Sequence, residues 1–150
     1  MKTTRRTYHK TLNLTRFLVL LGLGATIIVA ISLKEKPEVN TPPGDPPVIQ
    51  LESALSEGKP VLAFYHSNTC ESCLQMIDIV NQVYPEFASL VVLVDVNVYD
   101  QQNESLMKKA GVQYIPTLVL YHPSGRIAKY VGVMEKGNLR QALTDLAGGG

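Results

Sequence analysis

The sequence predicts an α/β fold, a small mixed central sheet with helices on both faces, preceded by one N-terminal transmembrane helix. Three observations carry this prediction. Two apolar runs, Val61–Tyr65 and Leu90–Val96, bracket a stretch of helical periodicity, the pattern of a strand–helix–strand unit with parallel strands. A third run, Thr117–Tyr121, meets the turn residues His122-Pro123-Ser124-Gly125 and then Arg126–Val131, which reads as a hairpin added to the same sheet. Ahead of all this, Phe17 to Leu33 is an uninterrupted stretch without a charge.

The N-terminal third divides by composition. Residues 1–11 are a basic, cytoplasmic N-terminus; Lys2, Arg5, Arg6, Lys10 and Arg16 precede the apolar stretch with no acid among them. With the flanking Leu12 to Thr15, the uncharged stretch approaches the roughly 20 residues that a membrane span needs, and residues 12–33 read as a signal-anchor helix. Basic residues stay on the cytoplasmic side, which puts the N-terminus inside and everything after Lys34 outside. Cleavage after Ala30-Ile31-Ser32, giving a secreted protein, is the competing reading. Thr4-Arg5-Arg6 is similar to a twin-arginine export signal, although adjacent arginines are common in basic leaders. Residues 34–47 form a linker: Pro37, Pro42, Pro43, Pro46 and Pro47, with Gly44, oppose helix and favour extended chain. The folded domain is expected over 48–147. A net charge of +1 supplies no electrostatic case for nucleic acid, and one domain of this size reads as a monomer.

Within the domain, Leu51 to Glu57 forms a short helix ended by Gly58 and Pro60. Val61–Tyr65 is a strand covered on both faces. Cys73, Met76, Ile77, Val80, Val83 and Tyr84 recur at helical spacing, so a helix runs from the cysteines to Tyr84, before Pro85. Leu90–Val96 is a second buried strand. Asp100 caps a helix through Ala110 that Gly111 terminates. After the hairpin, Leu139, Ala142, Leu143 and Leu146 form the stripe of a last helix.

The chemistry centres on Cys70-Glu71-Ser72-Cys73, which holds the chain's only two cysteines. Positions i and i+3 of a helix face the same way, so the sulfurs can meet in a disulfide. A helix N-terminus favours thiolate at Cys70. Cys73 belongs to the apolar stripe and should be buried. The division suggests an exposed attacking sulfur and a shielded resolving one. Outside the cytoplasm such a disulfide persists, and a reductant would need an electron supply.

Taken with these residues, the chain resembles the thioredoxin family. Ile115-Pro116-Thr117 matches the family's Ile-Pro-Thr, whose proline is cis and lies opposite the disulfide. Gly111-Val112, Ser124-Gly125 and Val131-Gly132 match further family positions, and the likeness covers roughly 48–147. It implies a thioredoxin fold, catalytic Cys70 and Cys73, and substrate contacts at Thr69, Ile115 and Pro116, with Glu71 and Ser72 tuning the thiol. Several positions depart from the pattern. Thr69 stands for the usual Trp, Glu71-Ser72 for Gly-Pro, and no proline lies in Gln75–Val80. The family's buried acid falls at Phe64 and its lysine partner at Leu93, which removes the usual proton relay for Cys73.

With an anchor in front, the chain looks like the extracytoplasmic bacterial thioredoxins. The resemblance implies a protein-disulfide reductase for specific partners, apocytochromes in cytochrome c maturation among them. It implies a transmembrane thiol carrier as electron donor and no cofactor or metal. Glu71 beside the nucleophile should oppose the thiolate, which argues for a potential nearer about −270 mV than about −120 mV. Two alternatives stand beside it: a disulfide-forming oxidase, and a copper-binding protein in which His66 and His122 join the two thiolates. Asp95 and Asn97 end a strand where sites gather in α/β sheets. Tyr65, Tyr114 and Tyr130 either line a peptide groove or belong to the core, and Lys108-Lys109 is a solvated helix end.

Overall fold

A computed structural model describes residues 44–148. The expected basic N-terminus, the span at 12–33 and most of the linker lie outside the described residues. Among the described residues no helix is long and apolar enough to cross a membrane.

Helix α1 (Pro47–Ser56) opens the domain. It starts four residues before the expected Leu51, inside what the composition marks as linker. The reason is positional: at the first helical residue the missing N–H of proline costs nothing and its fixed φ suits the helix. The N–H groups of Ile49 and Gln50 then reach back to the Pro46 carbonyl at 2.9 and 3.1 Å.

Strand β1 (Val61–His66) leads through a short loop into α2 (Glu71–Val83), which returns the chain to β2 (Val92–Asn97). Pro85 does not simply follow the helix; it sits in a 3-10 turn, Tyr84–Glu86. β2 begins two residues later than its apolar run, because the N–H groups of Leu90 and Val91 donate to the Phe87 carbonyl in a turn. The helix expected from Asp100 is broken. Asp100 does cap, accepting from Gln102 N–H at 3.0 Å, but the result is a 3-10 turn, Gln101–Asn103, before α3 (Glu104–Ala110). Buried Asn103 causes the break: its side-chain amide donates to the Asn97 carbonyl at 3.0 Å, and its ψ of −3° is too flat for an α-helix. Gly111 ends α3 in the left-handed conformation at φ 59°. Strands β3 (Thr117–Tyr121) and β4 (Ile127–Val131) form the expected hairpin, and α4 (Lys136–Ala147) closes the fold.

The sheet order is β2-β1-β3-β4. β1 and β2 are parallel with Val61 level with Val92, whereas β3 runs antiparallel to both β1 and β4. β1 is central and every residue of it is buried. β2 is an edge, so Asp95 and Asn97 stay half-exposed instead of being covered on both sides.

Alternation along the strands sorts the core into two layers. On one face Leu62, Phe64, Leu93, Leu118 and Leu120 meet Met76, Ile77 and Val80 of α2 and Leu139, Leu143 and Leu146 of α4. On the other, Val61, Ala63, Tyr65, Val94, Val96 and Val119 meet Leu51 and Ala54 of α1 and Leu106 of α3. Helices therefore cover both faces of a mixed four-stranded sheet.

Candidate active site

The site forms where β1 ends. Ser67 to Cys70 carry the chain from the strand to α2 at the C-terminal end of the parallel pair, the place where α/β sheets gather their functional groups. The buried Ser67 hydroxyl shapes this loop: it meets the Thr69 hydroxyl at 2.9 Å and accepts from the Thr69 N–H at 3.1 Å. Thr69 is exposed beside the nucleophile.

Cys70 is the N-cap of α2, with extended backbone and a half-buried thiol. Its sulfur accepts from the Cys73 N–H at 3.3 Å and lies 3.2 Å from the Ser72 hydroxyl. A cap of this kind satisfies one of the free N–H groups of the first turn, and sulfur does so better as thiolate. The thiol accordingly sits below its ordinary pKa. The hydrogen bond from the Cys73 side chain is the largest cause and the Ser72 hydroxyl the next, with partial burial pushing the other way. Glu71 is exposed, and the causes of the Cys70 shift are contacts on the sulfur itself.

Cys73 is fully buried on the inner face of α2. Burial, and then its role as donor to Cys70, push its thiol up to about 12, with the Ser67 N–H pulling back. Both cysteines are free thiols, one accessible and one shielded.

The Ile115–Pro116 peptide bond is cis. Register places it: Thr117 is level with Tyr65, so Pro116 falls level with His66, at the end of β1 from which the cysteine loop departs. The Pro116 carbonyl accepts from the Gly132 N–H at 2.8 Å, and Gly132 holds a φ of 91° that favours glycine. Ile115 is half-buried, Pro116 buried, and Tyr114 is 69% exposed. Thr69, Cys70, Cys73, Ile115 and Pro116 are thus gathered at one end of the sheet.

Other residues raised by the sequence scatter. Tyr65 is buried in the α1/α3 layer, whereas Tyr114 and Tyr130 are exposed, Tyr130 on edge strand β4. His122 follows Tyr121, which is level with Val61 at the opposite end of β1 from His66. Five residues of strand, about 16 Å, keep the two histidines from completing a site with both thiolates. Among the described residues no three His, Cys, Asp or Glu side chains cluster as a metal site.

One pairing escaped the sequence. His66 Nε2 bonds the Asp95 carboxylate across β1 and β2, and the His66 ring stacks on Phe64 with centroids 4.6 Å apart. The residue level with Phe64 is Asp95; Leu93 is level with Leu62. The resemblance puts the family's lysine partner at Leu93, whereas the register sets Asp95, two residues on, beside Phe64. The signal was in the strand itself: Leu93, Asp95 and Asn97 share one face, so an acid in that alternation had to meet the sheet face under α2.

Comparison with known proteins follows the same line. A family model described as a thioredoxin-like domain matches residues 49–147, and the chain belongs to that family. It is 32% identical over 80 residues to a thioredoxin of Haemophilus influenzae, covering 53% of this chain and 73% of the relative. It is 26% identical over 92 residues to thioredoxin 1 of Synechococcus elongatus, covering 61% and 84%. Among solved structures, a chloroplastic thioredoxin z superposes with TM-score 0.57 at 18% identity, covering 67% of this chain and 89% of that one. A mutant thioredoxin from Halobacterium salinarum gives 0.56 at 22%, covering 65% and 82%. The structural likenesses carry the fold; family and site together define a thioredoxin-like redox protein.

Proposed function

We propose that the chain is a protein-disulfide reductase that works outside the cytoplasmic membrane, held there by residues 12–33. The observation that carries the reading is the unequal pair of free thiols at the start of α2: Cys70 accessible and lowered, Cys73 buried and raised. Cys70 thiolate attacks a partner disulfide, forming a mixed disulfide and releasing one partner thiolate. Cys73 then gives up its proton and attacks Cys70; the bond from Cys70 to the partner breaks, and the electron pair leaves with the second partner thiolate. The partner gains two electrons, the protein keeps a Cys70–Cys73 disulfide, and a transmembrane thiol carrier returns it to the dithiol. Thr69, Ile115 and Pro116 form the surface for the substrate chain, and apocytochromes are a fitting class of substrate.

A second reading, oxidation of partner dithiols, has one observation in its favour. A stabilised Cys70 thiolate stabilises the reduced form and makes the disulfide more oxidising. Two measurements on the full chain in its membrane decide. The Cys73→Ser variant should accumulate mixed disulfides through Cys70, and their partners identify the substrates; an absence of adducts refutes exchange chemistry. A potential above about −170 mV turns the assignment from reductase to oxidase.

A further inference from the structure

We propose that the His66–Asp95 pair is the proton acceptor that activates Cys73 for the resolving step, from a different sheet position than the carboxylate for which Phe64 stands. The assignment rests on the exchange chemistry proposed above and names the base that this chemistry requires.

The need comes from Cys73. It is fully buried and its thiol is held far above neutral pH, so it cannot attack Cys70 without giving its proton to a neighbour. The position two residues before His66 is occupied by Phe64, which has no proton to exchange. His66 fills the role by placement. It ends β1 on the sheet face that α2 covers, as its stacking on Phe64 shows. The backbone of the next residue, Ser67, acts on the Cys73 thiol, so the end of β1 that carries His66 lies on the Cys73 side of the site. The His66 side chain is 2% exposed; Nε2 is taken by Asp95, whereas buried Nδ1 has no hydrogen-bond partner among the described residues. A buried ring nitrogen without a partner costs stability, and a catalytic role is one of the reasons a fold keeps such a group. The Asp95 side chain is 28% exposed and continues the path to solvent.

Few other groups can take the role. On this face α2 presents Met76, Ile77 and Val80 besides Cys73, α4 presents Leu139, Leu143 and Leu146, and β3 presents Leu118 and Leu120. Beyond Asp95, β2 adds only Leu93 and the uncharged Asn97. The acids of α2, Glu71 and Asp78, are exposed. In the resolving step the Cys73 S–H bond breaks and its proton goes to His66; the Cys73 sulfur bonds Cys70; the partner sulfur leaves with the electron pair. The imidazolium, held by Asp95, then releases the proton to water or to the departing thiolate.

The test loads the full chain at Cys70 with thionitrobenzoate and follows its release by Cys73 from pH 5 to 10. Release from the unsubstituted protein should depend only weakly on hydroxide across this range, because the base for Cys73 is supplied from within the site. In His66→Phe, which keeps a ring against Phe64, and in Asp95→Asn, release at neutral pH should slow at least about tenfold. In His66→Phe the rate should also rise with hydroxide across the whole range. Alkylation of Cys70 in the same variants should stay within about twofold, separating a base for Cys73 from a general disturbance of the site. An unchanged profile in folded His66→Phe and Asp95→Asn overturns the assignment. An unsubstituted protein that takes up thionitrobenzoate and never releases it overturns the exchange reading itself.

Discussion

The N–H of Cys73 points at the sulfur of Cys70 across 3.3 Å, so one cysteine caps the helix that carries the other. Capping and reactivity are coupled through this contact. The negative form of the Cys70 sulfur is the better acceptor, and the free N–H groups of the first turn favour it.

The two thiols should therefore titrate far apart. Thiolate is the form that alkylates, so a lowered pKa moves the onset of reaction to lower pH and a raised one delays it. Iodoacetamide applied to the reduced protein should modify Cys70 below the ordinary thiol range. Cys73 should stay unmodified until the pH nears about 12 or the chain unfolds. Peptide mapping after partial alkylation reads the outcome; preferential modification of Cys73 would contradict the site geometry.

Ser72 is the second group on the nucleophile, 3.2 Å from it. Ser72→Ala removes one hydrogen bond to the thiolate, which should slow Cys70 alkylation at neutral pH on the order of three- to fivefold. Glu71→Gln should change it by less than about twofold, because an exposed carboxylate is screened by salt. A larger effect from Glu71 than from Ser72 would reverse their ranking.

His122 provides a pH signature away from the thiols. Burial, and then the Arg126 guanidinium beside it, depress its pKa in the folded protein, with Asp145 opposing. The unfolded chain then binds the proton more readily. The stability this histidine contributes is whole above about pH 6.5 and drains away as the pH falls toward the folded value. Urea unfolding at pH 7.5 and 5.5 should show a smaller loss of stability on acidification for His122→Gln than for the unsubstituted protein.

Leu143 is fully buried between α4 and the sheet. Leu143→Ala should cost about 2–5 kcal/mol, the transfer loss plus the cavity left behind. Urea denaturation measures it, with Cys70 alkylation at low denaturant as the check that the site survives in the folded fraction.

Much of the architecture was legible because it rests on composition along the chain. The apolar runs located β1, β2 and β3, and the spacing of Met76, Ile77 and Val80 located α2. What stayed hidden depends on contacts across the chain. Asp95 meets His66 because Val61 is level with Val92, and a slip of two residues changes the partner. The lowering of Cys70 depends on where the Cys73 and Ser72 side chains point, whereas the sequence shows only that Glu71 is adjacent. Asn103 breaks a helix through a bond to Asn97 that no local propensity reveals. Pro47 was hidden for the opposite reason: its role is local, but a proline beside Pro46 reads equally as linker or as helix start.

The sorting of the core into two layers has a consequence for how the protein tolerates change. Both residues of the proton path, and the shielded sulfur, lie on the α2 side of the sheet. The opposite side, where Leu51, Ala54 and Leu106 pack on Ala63 and Val94, holds the strands up without touching a reacting atom. Volume-conserving swaps there should be accepted freely, leaving one flank open to drift while the other is held by its chemistry.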